Sequence, residues 1–82
     1  MYRIYTEDKK YAQVLNLVSQ YFGDFTVVKG LSSYAGEWEN SLVIEVITND
    51  YDKVRQIAEK IKEINRQKAV LIQKFETIME TI

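Results

Sequence analysis

Apolar and polar positions change period several times along the chain. Met1-Tyr2-Arg3-Ile4-Tyr5-Thr6 alternates, with Tyr2 and Ile4 on one face and Arg3 and Tyr5 on the other, which predicts a strand. Tyr11, Val14, Leu15, Val18 and Phe22 then recur at helical spacing, with Lys9, Lys10, Gln13, Asn16 and Gln20 on the opposite side. Thr6 is the expected N-cap of this helix, Glu7 and Asp8 its first turn, and Gly23 its left-handed stop.

Period two returns from Phe25 to about Lys29 and again over Leu42–Ile47. In the second run Leu42, Ile44 and Val46 share one face, while Val43, Glu45 and Ile47 share the other. The residues between, roughly Leu31–Asn40, read as a long polar connection holding Tyr34, Gly36 and the single tryptophan, Trp38. Such a loop exceeds the usual hairpin length of about 2–5 residues, so a functional role is expected. Asn49 or Asp50 caps a second helix, whose apolar stripe is Tyr51, Val54, Ile57, Ala58, Ile61 and Ile64, with Asn65 at its end. Ala69–Gln73 is a fourth strand. Glu76–Ile82 alternates weakly and suits a short fifth strand or a docking tail.

The order β-α-β-β-α-β defines a ferredoxin-like α+β sandwich: an antiparallel four-stranded sheet with two helices on one face. Its other face must meet water or another subunit. The face carrying Arg3, Tyr5, Val43, Glu45 and Ile47 is therefore expected to contact further copies of the chain.

Length and composition narrow the function. Eighty-two residues, 46% of them apolar, make a single domain, residues 1–82, with a modest core. There is no signal-peptide pattern and no long apolar run, and with cysteine absent a cytoplasmic protein is expected. A net charge of -1 gives no basic footprint for nucleic acid. RNA-recognition modules share this topology, but the third strand here has no stacking aromatic. The acylphosphatases share it too, but their Gly-rich anion loop is replaced by the acidic turn Thr6-Glu7-Asp8-Lys9.

Histidine and cysteine are both absent, which removes the usual base near neutral pH and the thiolate nucleophile. Ser32, Ser33 and Ser41 have no histidine to activate them. The expectation is a binder and not an enzyme, without cofactor or metal. Glu37, Glu39 and Glu45 could hold a hard cation, though solvated carboxylates account for them more simply. The candidate ligand-binding residues are Tyr34 and Trp38 as a stacking pair, Lys29 and Arg3 for ligand charge, and Glu39 as a polar partner. The competing account of Trp38 is packing on the domain or on a neighbouring subunit.

The strand–Tyr34-Ala35-Gly36-Glu37-Trp38-Glu39–strand stretch resembles the hairpin of the nitrogen-regulatory PII and CutA superfamily, over roughly residues 1–74. The pattern Tyr34, Gly36, Glu39, Ser41, Leu42 is also similar to short bacterial and phage proteins. The PII and CutA resemblance implies homotrimers with small ligands, often nucleotides, in clefts between subunits. The basic residues with which PII proteins hold ATP phosphates have no counterparts here, which argues against ATP. These features lead to an oligomeric binding domain for a nucleotide-type ligand, acting as a sensor or, as a phage protein would, sequestering a nucleotide signal. The alternative is an ACT-like regulatory or assembly module with no small ligand.

Overall fold

A computed structural model describes residues 1–76 and 80–82. Its elements are β1 (Tyr2–Glu7), α1 (Tyr11–Tyr21), β2 (Phe25–Tyr34), β3 (Glu37–Val46), α2 (Tyr51–Asn65) and β4 (Leu71–Lys74). The sheet order is β2-β3-β1-β4 with every neighbouring pair antiparallel, the expected ferredoxin-like arrangement. Part of the proposed fifth strand, residues 77–79, lies outside the described residues, and the described residues after β4 form no strand.

Alternation decides which side of the sheet is closed. Cross-strand partners share a face, so the pairs Tyr2–Val46, Ile4–Ile44 and Thr6–Leu42 stand together. With Val14 and Val18 of α1 and Val54, Ile57, Ala58 and Ile61 of α2 the apolar members of these pairs make one buried cluster, so both helices cover the same face. On α1 the inward stripe is Val14, Leu17, Val18 and Tyr21; Tyr11 is exposed. Arg3, Tyr5, Val43 and Glu45 fall on the open face, and Ile47 beyond β3 is exposed.

The helix ends differ from expectation in instructive ways. Asp50 caps α2 by accepting a hydrogen bond from the Lys53 N–H at 3.1 Å. Thr6 does not cap α1. Strand parity puts it on the buried side of β1, where its hydroxyl donates to Gln67. Helix α1 starts later, after Lys10 in the left-handed region at φ 47°, with no side-chain cap. It ends at an extended Phe22, so Gly23 is no left-handed stop.

The main correction concerns residues 31–40. They form no long loop. Strands β2 and β3 stay paired in register from Phe25–Val46 to Tyr34–Glu37 and turn in two residues, Ala35 and Gly36. Both have positive φ, 51° and 82°, as in the mirror-image turns that match strand twist. Because β1 pairs with β3 only as far as Ser41, residues 31–40 project past the four-stranded sheet as a two-stranded arm.

Candidate functional site

Register assigns each candidate residue to a side of the arm. Leu31, Ser33, Trp38 and Asn40 continue the helix-covered face. Ser32, Tyr34, Glu37 and Glu39 continue the open face. The expected stacking pair is therefore split: Trp38, cross-strand to Ser33, and Tyr34, cross-strand to Glu37, stand on opposite sides of the ribbon. Both are well exposed, at 72% and 68%.

Lys29 lies on Trp38's side. Its ammonium is 3.7 Å from the Asp8 carboxylate and 4.1 Å above the Tyr11 ring, so its charge is already engaged. Arg3 lies on the open face at the far end of the sheet. It faces Glu45 at 3.5 Å and stacks on Phe75 at 4.2 Å. Its cross-strand partner Glu45 is six strand positions from Glu39, about 20 Å at strand rise. Within one chain Arg3 and Glu39 cannot touch the same small ligand.

The structure does bring together a group on the open face at the root of the arm. Glu7, the last residue of β1, is cross-strand to Ser41, and Glu39 is two positions further along β3 on the same side. The Ser32 and Ser41 hydroxyls share a 2.8 Å hydrogen bond beside them. The Lys9 ammonium is 2.8 Å from Glu7. That hydrogen bond chiefly pulls the Glu7 carboxyl below its ordinary range, against partial burial. Glu39 moves the other way, raised first by its hydrogen bond to Glu7 and then by desolvation. Of the two carboxyls, Glu39 is thus the one that holds a proton more readily. Tyr34 and Glu37 extend this acidic, aromatic surface to the tip.

Beneath it is a buried polar knot that the sequence reading missed. The Asn65 side-chain amide donates to the Gln67 side-chain oxygen at 2.7 Å, and to the Thr6 hydroxyl and the Glu7 carbonyl, both at 3.3 Å. It ties the end of α2 to the end of β1. The available signal was parity: Thr6 follows Tyr2 and Ile4 inward, so it needs a buried partner.

Among the described residues no group of three or more acidic side chains is arranged to hold a metal ion. No described helix is long and apolar enough to cross a membrane.

No family model and no curated protein matches the chain. Among solved structures the chain is similar to a phage SAM lyase in its apo state, with a TM-score of 0.63 and 19% sequence identity, over 87% of this chain and 74% of that one. At that identity the likeness shows the fold. It also corrects the expectation that the chain is not an enzyme, because a lyase is built on this arrangement. That expectation rested on the missing histidine and cysteine, which remove the usual base near neutral pH and the thiolate nucleophile but leave carboxylates, lysines and tyrosines. Those absences do not exclude a reaction whose substrate brings its own leaving group.

Proposed function

We propose that this chain binds a sulfonium nucleoside of the S-adenosylmethionine type on its open sheet face and cleaves it as a lyase. The observation that carries the reading is the Glu7–Glu39–Tyr34–Glu37 surface, in a fold shared with a SAM lyase. It is anionic and aromatic where a phosphate site would be basic. A sulfonium nucleoside is a nucleotide-type ligand without phosphates, and it carries positive charge. Carboxylates attract that charge, and the Tyr34 ring face stabilises a sulfonium or stacks on the base.

The chemistry suits the residue inventory. A lyase breaks a carbon–sulfur bond without water. Sulfur keeps the bonding pair and becomes a neutral thioether, while a carboxylate oxygen of the substrate's own amino-acid tail forms the new bond to that carbon and closes a lactone, so no outside nucleophile or proton acceptor is consumed. No histidine is required, since the task is to hold the reacting atoms in line and to shed water from them. The weak point of a strongly anionic site is that it also favours the charged ground state. The shift of Glu39 toward its neutral form beside Glu7 limits that cost.

The distance from Arg3 to Glu39 favours a cleft completed by a second copy. The trimer implied by the PII and CutA resemblance is therefore kept as part of the proposal, with the exposed apolar residues Val28, Ile47 and Leu71 among the surface that association would cover.

The test is incubation of the purified protein with S-adenosylmethionine, with the thioether product followed by mass spectrometry and binding by calorimetry. Product should accumulate, and Tyr34→Ala should weaken binding roughly 5- to 150-fold, the equivalent of a lost stacking contact. Absence of both binding and turnover would overturn the reading. Light scattering that finds only monomer would remove the shared cleft.

A further inference from the structure

Two exposed surfaces of the chain are complementary and cannot meet within one copy. The first is the helix-side face of the arm, where Leu31 and Trp38 are 65% and 72% exposed. Residues 31–40 hold two glutamates and neither lysine nor arginine. The second is a groove between α2 and β4, at the edge of the sheet away from β2. Ala58, Val70 and Ile72 give it apolar walls. Lys62 and Lys68 also line it, and neither forms an ion pair among the described residues. Arg55 and Glu59 on the same wall neutralise each other at 3.2 Å. Strand β4 pairs with β1 over Tyr2–Tyr5, whereas the arm leaves the sheet past Ser41, beside the other end of β1. The arm therefore points away from its own groove.

We propose that the arm of one copy docks in the α2–β4 groove of a second copy, with Trp38 as the anchor. An indole on an uncovered ribbon gains most from entering an apolar groove, and tryptophan is the residue type that most often dominates an interface. Its cross-strand neighbour is the small Ser33, which leaves the ring room to reach out of the ribbon, and Leu31 adds apolar area on the same side. Glu37 and Glu39 flank Trp38 but leave by the ribbon's other face. They act on Lys62 and Lys68 through their field, which steers the approach and weakens as salt rises. The contact is head-to-tail: each copy gives an arm and receives one, and such contacts close into a ring where the rotation allows. The inference rests on the association of copies proposed above and not on the lyase chemistry.

Trp38 is the only tryptophan, so its emission reports docking directly. As concentration rises, wild-type emission should shift to the blue in step with the mass found by light scattering, and added salt should reverse both. Trp38→Ala, and separately the pair Lys62→Glu and Lys68→Glu, should each weaken association about 30-fold or more, the loss of a dominant contact. All three positions are exposed, so the monomers should unfold in urea as the wild type does. The decisive sample is a mixture of the two variants. Each keeps the surface that the other lacks, so equal parts should form a one-to-one dimer and grow no further. A mixture that stays monomeric, or a wild type that associates without a change in Trp38 emission, would overturn the docking and leave the shared cleft to another surface. A wild type that is monomeric at every concentration would overturn both. None of these readouts uses S-adenosylmethionine, so the lyase chemistry is judged by its own assay.

Discussion

One hairpin contains two different kinds of strand. Its inner half, Phe25–Gly30 against Ser41–Val46, lies within the four-stranded sheet and carries Leu42, Ile44 and Val46 fully buried. Its outer half, residues 31–40, continues the same ladder without a break, yet Leu31, Tyr34 and Trp38 remain 65–72% exposed. Backbone pairing is the same in both. What differs is the third strand and the helices behind it. A two-stranded ribbon alone is marginal in water, so the outer half has direction without much stability of its own. A rigid sheet supporting a weakly held arm is a workable way to present side chains that must meet a ligand or another copy.

The strongest test of this contrast is in the inner half. Ile44 is fully buried, with Ile4 on one side of it and Val27 on the other. Ile44→Ala should cost about 2–5 kcal/mol in urea unfolding, because it removes apolar contacts and leaves a cavity between sheet and helices. A cost no larger than that of a change in the outer half would erase the distinction.

The same contrast explains which features could be read from the sequence. Tyr2, Ile4, Leu42, Ile44 and Val46 alternate because one face is buried, and the helical stripe of Val54, Ile57, Ala58 and Ile61 is clear for the same reason. Element order and sheet faces follow from those patterns. In the arm neither face is covered, so selection for burial leaves no alternation in Leu31-Ser32-Ser33-Tyr34 or Trp38-Glu39-Asn40. The tight turn was equally hard to see. Its first left-handed position is Ala35, where asparagine, aspartate or glycine would have been the readable signal. Once the register is known, the separation of Tyr34 from Trp38 follows from parity alone. The carboxyl pair and the Asn65 knot depend on contacts across 32 and about 60 residues of chain, which local pattern does not encode.

That knot supplies the intermediate test, since it joins the β1 end to α2 at the boundary between the two regions. Asn65 is 4% exposed and donates to three acceptors. Asn65→Ala leaves the Thr6 hydroxyl, the Gln67 amide oxygen and the Glu7 carbonyl with fewer partners away from water. The expected loss is about 1–3 kcal/mol by chemical denaturation. Amide exchange should also quicken at Asp8, whose N–H anchors the arm through Asn40. A loss without faster exchange at Asp8 would show that the knot supports the core and not the arm.

The smallest effect should come from the largest side chain of the arm. Trp38 is 72% exposed and packs on no part of the core cluster, so Trp38→Ala should change monomer stability by no more than about 0.5 kcal/mol, as for a surface substitution. Denaturation at concentrations where light scattering finds a monomer would check this. The parallel measurement is binding of S-adenosylmethionine. Trp38 lies on the helix side, away from Tyr34 and Glu39, so within a site on the open face its removal should leave affinity within about twofold, a difference of only about 0.4 kcal/mol. Tyr34→Ala should weaken binding far more. If the two variants lose affinity equally, the ligand reaches both sides of the ribbon, and the arm acts as a clamp around it instead of a platform beneath it. If Trp38→Ala lowers only the association of copies, its face is the one that meets another chain, and the division of labour across the ribbon becomes ligand on one side and partner on the other.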